Sequence, residues 1–142
     1  MKVQRKWISI VILTGVVLTL AACGGGGGGS APPTDNTPPT ATVLPGSGST
    51  IGGSMPIVLT FNESMSAASL ALSGDMAAES DGGIWSATNR ESDTLTVRPN
   101  TSWNGGSGRT LTIDAADSAG NPLASLTLTY DVDTTPPAAA AA

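Results

Sequence analysis

The chemistry this chain can support is limited by its residue types. It has one Cys, at position 23, and no His. Without His the commonest general base and the commonest metal ligand are both missing. No Ser-His-Asp or Cys-His arrangement can be built, and a lone Cys forms no intrachain disulfide. Oxygen groups remain. Asp114, Asp117 and Asn121 lie close together, and Asp131 and Asp133 follow near the far border of the patterned region. Loops rich in such oxygens can hold Ca²⁺, which takes six to eight of them. The same residues are also ordinary turn formers, since Asp and Asn accept bonds from nearby backbone N–H groups. Turn chemistry is the favoured reading, and no cofactor or metal is expected. Asp75, Glu79 and Asp81 form a second acidic group. Paired carboxylates can run glycoside hydrolysis. These sit in an Ala- and Gly-rich stretch with nothing apolar to raise a pKa, so a solvated loop is expected and no catalytic residue is assigned. Trp85 and Trp103 are expected in the core, because a chain with 4% aromatics needs them there. Asn62-Glu63-Ser64 and Asn100-Thr101-Ser102 match the Asn glycosylation pattern and are read as turns.

Cys23 is different, because its surroundings fit one reaction. Lys2, Arg5 and Lys6 form a basic start, and Trp7 to Ala22 then carries no charge. A helix of sixteen residues spans about 24 Å at ~1.5 Å per residue, short of a ~30 Å hydrocarbon core. A basic start, an apolar run and small residues at its end read as a cleaved signal peptide over 1–22. Leu20-Ala21-Ala22-Cys23 resembles the lipobox of bacterial lipoproteins. That resemblance implies diacylglycerol thioether-linked to Cys23, cleavage between Ala22 and Cys23, and acylation of the new amino group. Two or three acyl chains give an anchor that hardly releases, whereas one binds only marginally. Gly24 stands where an Asp would resemble an inner-membrane retention signal. The expected location is therefore the cell envelope, lipid-anchored, with the outer membrane or cell surface favoured over the inner membrane.

Residues 23–37 read as a flexible spacer. Gly24 to Gly29 is an unbroken Gly run, and the following residues to Thr37 include no large apolar side chain. Such a segment buries too little surface to offset its chain entropy. Its reach is at most about 48 Å. Charge narrows the partners. Three of the six basic residues lie before position 23, leaving Arg90, Arg98 and Arg109 against eleven carboxylates, a net charge near −8. That balance repels phosphate backbones and anionic head groups, so nucleic acid is excluded. The expected partners are the membrane, through the lipid, and a cell-surface protein or polysaccharide.

The elements that must position these groups are strands. Ile57, Leu59 and Phe61 alternate with polar or smaller residues. So do Leu95 and Val97, Leu111 and Ile113, and Leu126, Leu128 and Tyr130. Period-two patterning with one apolar and one Thr-rich face predicts half-buried antiparallel strands. Weaker strands are expected over 40–44, 69–73 and 84–88, about seven in all, with one short helical turn inside 65–72. Gly-rich turns separate them. Asp35-Asn36-Thr37-Pro38-Pro39 recurs as Asp133-Thr134-Thr135-Pro136-Pro137, and proline pairs mark borders. The predicted fold class is all-β, an Ig-like antiparallel sandwich over 38–133, with a Pro/Ala tail over 134–142.

Residues 37–133 resemble the SbsA-type bacterial Ig-like domain. The resemblance is carried by Pro38-Pro39-Thr40-Ala41-Thr42-Val43-Leu44-Pro45, by Ile57 to Met65 around Phe61-Asn62-Glu63, by Leu95 to Pro99, and by Leu111 to Leu123 with its Gly120-Asn121-Pro122-Leu123 turn. It implies a sandwich, an extracytoplasmic setting and no catalytic residues. The family usually occurs in tandem. The expected function is a membrane-anchored lipoprotein displaying a non-catalytic module with a structural, adhesive or binding role. The alternative is an accessory module of a longer tandem surface protein, S-layer protein or hydrolase, motivated by the recurring Pro-Pro motif. An enzyme is not expected.

Overall fold

The structure is a computed structural model that describes residues 34–136. The lipobox residues Leu20, Ala21, Ala22 and Cys23, the signal peptide and most of the spacer lie outside the described residues, as does the end of the tail.

Eight strands follow one another: β1 (Ala41–Leu44), β2 (Thr50–Gly52), β3 (Ile57–Phe61), β4 (Ala71–Ser73), β5 (Ile84–Ser86), β6 (Thr94–Val97), β7 (Gly106–Asp114) and β8 (Leu126–Asp133). Single 3₁₀ turns occur at Ala67–Ser69 and Ala77–Glu79. The strands form two four-stranded sheets, ordered β1-β3-β6-β5 and β2-β8-β7-β4. This is the predicted all-β sandwich. The alternating side chains explain it. On β3, Ile57, Leu59 and Phe61 are buried, and on β8, Leu128, Tyr130 and Val132 are buried. One inner face per sheet is removed from water, and each large apolar side chain so buried is worth ~1.5–3 kcal/mol.

Two features depart from the sequence reading. First, β2 was not predicted. The chain leaves β1, crosses to the second sheet and pairs parallel with β8, Ile51 opposite Val132. The crossing is pinned by Gly48 N donating to Thr129 O at 2.6 Å and Thr129 N donating to Ser47 Oγ at 3.0 Å. Gly48 sits at φ +85°, where a Cβ would be strained. Tyr130 secures the same crossing by donating its hydroxyl to Pro45 O at 2.8 Å. Burial pushes that phenol up to about 12.

Second, the segment 73–83 is only in part the expected solvated loop: Asp75 and Asp81 are exposed, but Glu79 is half-buried. Met76 is fully buried within the segment. Glu79 accepts from Asn104 N (2.9 Å), from Asn104 Nδ2 (2.7 Å) and from the Arg109 guanidinium. Burial alone would raise the Glu79 carboxyl. These donors outweigh it and hold the group below its ordinary range. Asp75 accepts from Thr110 N and Oγ1, and Asp81 accepts from Gly83 N and Arg98 N. These acids fasten a segment whose apolar pattern is too sparse to be read as core. Trp103 lies in the core, 1% exposed, with Nε1 donating to Met55 O at 2.7 Å. Trp85 faces inward opposite Leu95, its ring centroid 5.5 Å from that of Phe61, and is half-buried.

Candidate functional site

The chemistry-bearing groups gather at the end of the sandwich where β3 and β7 finish and β6 begins. Three loops and the segment before β1 meet there. They line a cleft of about 450 Å³ with Asp35, Glu63, Ser64, Arg90, Asp117 and Ser118. Carboxylate oxygens of Asp35, Glu63 and Asp117 all lie within 4.8 Å of one another.

Each group is placed for a local reason. Asp117 closes the turn after β7 and is 2% exposed. It accepts from Ala119 N and Asn121 N, both at 2.8 Å, and from Asn121 Nδ2 at 2.8 Å. This is the turn chemistry expected of Asp117 and Asn121. Burial would raise the carboxyl. The side-chain amide and backbone N–H groups that point at it prevail and hold it below the ordinary aspartate range. Glu63 follows β3 and is held beside Asp117 because the loops are stitched together. Ser118 N donates to Ser64 O at 3.0 Å, and Ser66 N donates to Ala116 O at 2.9 Å. Glu63 Oε1 is closed off from solvent without a hydrogen-bond partner among the described residues. Burial first, then the charges of Asp117 and Asp35, push the Glu63 carboxyl above its ordinary value, partly countered by Arg90.

Arg90 is positioned by Asp93, which is 1% exposed. Asp93 accepts from Thr88 N (2.6 Å), Asn89 N (2.7 Å), Arg90 N (2.8 Å) and Thr94 Oγ1 (3.2 Å). The bond from Asn89, with those from Thr88, Arg90 and Thr94, overcomes burial and holds Asp93 far below the usual carboxylate range. Ser92 at φ +53° completes this tight loop.

The oxygens of Asp114, Asp117, Asn121, Asp131 and Asp133, where turn chemistry is favoured over Ca²⁺, do not assemble into one site. Asp131 and Asp133 lie at the opposite end of the β7–β8 pair from Asp114, because Gly106 pairs with Val132 and Ile113 with Leu126. Asp131 instead accepts from Gly108 N, and Asp133 from Thr135 N. The trio that does meet suits a proton on Glu63 better than a divalent cation. Both oxygens of Asp117 are committed to N–H donors, and three side chains fall well short of six to eight ligands. Asn62 accepts from Thr40 N and Asn100 donates to Ser80 O, both turn or loop fastenings. The sequence marks Asp35 as part of the repeated border motif and not as a site residue, and it gives no signal for Asp93. Asp93 caps N–H groups that precede it, and the familiar N-cap signature runs the other way.

Residues 35–135 match a family described as the bacterial Ig-like domain. The chain belongs to that family. A comparison with curated proteins gives no match. Among solved structures, the Ig-like chain is similar to the LD transpeptidase LdtMt1 in complex with imipenem. The identity is 18% and the TM-score 0.43, over 66% of this chain and 39% of that one. It is similar to an L,D-transpeptidase from Mycobacterium smegmatis at 16% identity and TM-score 0.41, over 68% of this chain and 40% of that one. It is also similar to PcoC, a methionine-rich copper resistance protein from Escherichia coli. There the identity is 16% and the TM-score 0.47, over 67% of this chain and 98% of that one. The chain thus spans about two fifths of each transpeptidase chain.

Proposed function

We propose that this Ig-like domain is the displayed part of a bacterial lipoprotein, held at the cell envelope by lipid on Cys23 and by the spacer over 23–37. Its role is structural or adhesive rather than catalytic. The single observation that carries this reading is positional. The one Cys of the chain follows sixteen uncharged residues and the small residues Ala21-Ala22, the place where thioether lipidation requires a thiol. The spacer and the Ig-like family membership support it. A module with no His, set on a Gly tether, suits display better than turnover. The outer membrane or the cell surface is the favoured site, and a surface protein or polysaccharide the favoured contact. The test is metabolic labelling with palmitate in a bacterial host that expresses the full chain. Wild type takes up label and Cys23→Ser does not. Equal labelling of the two would overturn the anchor.

One observation supports the second reading, a module of a tandem array. The repeated Asp-x-Thr-Pro-Pro motif makes the same turn at both borders. Thr37 N donates to Asp35 Oδ1 at 2.9 Å, and Thr135 N donates to Asp133 Oδ1 at 2.8 Å. In such an array the second turn would lead into a neighbouring module. Sequencing the gene beyond codon 142 tests it, and an in-frame second Ig-like module would decide for the array.

A further inference from the structure

The segment that leads into β1 lies over the acidic cleft as a strap. Residues 34–38 are exposed and Pro39 is buried, so the strap is rooted at Pro39. Just beyond the root, Thr40 N donates to Asn62 Oδ1 at 2.7 Å and Asn62 N donates to Thr40 O at 3.1 Å. On the strap itself, one hydrogen bond reaches the body of the domain, from Asn121 Nδ2 to Asp35 O at 3.2 Å. Against that bond stands the carboxylate of Asp35, within 4.8 Å of those of Glu63 and Asp117.

Three carboxylates so close cannot all stay charged at low cost. Asp117 keeps its charge, because three N–H donors stabilise it. The repulsion then has two outlets. Glu63 can hold a proton, or the strap can lift Asp35 away. We propose that the strap over 34–38 is a pH-gated latch, docked on the cleft when Glu63 is protonated and released when Glu63 is charged. The charged groups that face Glu63 are Asp117 from the loop after β7, Asp35 from the strap and Arg90 from the loop before β6. Arg90 softens the repulsion without cancelling it, since its effect on the Glu63 carboxyl is smaller than that of either Asp117 or Asp35.

The two outlets are thermodynamically linked. Whatever docking does to the Glu63 proton affinity, protonation does to docking. At 4.8 Å and the screening of bulk water, the Asp35–Glu63 repulsion alone changes the docking equilibrium about fourfold, and more where water is partly excluded. The latch does not depend on lipidation. Its consequence does, and rests on the proposed anchor: freeing residues 35–38 lengthens the tether by up to about 14 Å.

The experiment is an NMR titration of the ¹⁵N-labelled full chain in detergent micelles from pH 4 to pH 8. It follows the heteronuclear NOE of the Asn36 and Thr37 amides and the shift of the Asn121 side-chain amide. The strap is ordered at pH 4 and loosens by pH 8, with a change of about fourfold or more in the docked-to-free ratio. In Glu63→Gln the strap is ordered at both pH values. Asp35→Asn removes the repulsion from the other partner and gives the same pH-independent order. A wild-type strap equally ordered across the range, or a Glu63→Gln strap that still loosens, overturns the latch. Palmitate labelling and this titration fail independently.

Discussion

Replacing Glu63 by Gln should stabilise the domain at neutral and alkaline pH. The side chain keeps its shape and loses its charge beside Asp117 and Asp35, whose oxygens lie within 4.8 Å. Coulomb's law at that separation gives about 0.9 kcal/mol per like-charged neighbour under bulk-water screening, and more in the partly buried cleft. Arg90 returns some of this. A net gain of about 1 kcal/mol corresponds to a rise in Tm of roughly 4–8 °C for a domain of this size. The pH dependence follows from the sign of the shift. The folded pKa of Glu63 lies above its unfolded value, so the folded state binds the proton more readily. The destabilising charge is therefore present above the folded pKa and vanishes as pH falls below the unfolded value, about 4.5. Thermal melts by circular dichroism at pH 8 and pH 4 read the effect. The variant should melt higher at pH 8 and match wild type at pH 4. A variant that melts lower at pH 8, or gains equally at both pH values, would refute the repulsion argument.

Other substitutions test the packing and the caps. Trp103→Ala should cost about 3–5 kcal/mol in a denaturant melt, as other large-to-small core changes do. Trp103→Phe should cost less, mainly through the Met55 carbonyl left without its donor. Asp93→Asn should lower the Tm at pH 7 by more than the same change at exposed Asp114, because three backbone N–H groups converge on the Asp93 carboxylate. In wild type the stabilisation from Asp93 and Asp117 is present above the unfolded aspartate pKa of about 3.8 and disappears as pH falls through their depressed folded values. Acid unfolding, followed by tryptophan fluorescence, should therefore begin below about pH 4, and in Asp93→Asn that loss should be smaller.

Strands were legible where alternation ran for several residues. On β3, β6, β7 and β8 the buried and exposed residues fall where period two puts them. Tertiary pairing, not local pattern, makes β2. Thr50-Ile51-Gly52 offers one buried side chain between two exposed residues, and its register partners on β8 are 81 residues away in sequence. The stretch around Met76 was illegible for a related reason. One Met enters the core, and the rest of the segment is held by side-chain to backbone bonds that leave no periodic trace. At the candidate site, the Asp117–Asn121 turn was readable because both residues lie within one loop. The meeting of Asp35, Glu63 and Asp117 was not, since it joins three separate connections.

The acidity of this chain has an internal explanation. Of its eleven carboxylate residues, eight accept at least one backbone N–H: Asp35, Asp75, Glu79, Asp81, Asp93, Asp117, Asp131 and Asp133. A domain with short strands and 4% aromatics has little apolar surface with which to hold its loops. Carboxylates do that work instead, turning N–H groups that would otherwise need water into fixed contacts. Most of the negative charge thus serves loop construction. Glu91, Asp114 and Glu63 fall outside the pattern. The first two are exposed and cost nothing to leave in water. Glu63 is half-buried, has no backbone donor, and sits against a carboxylate that cannot give up its charge. It is the one acid whose placement works against the fold at neutral pH, and so the one for which a role beyond holding the loops has to be sought.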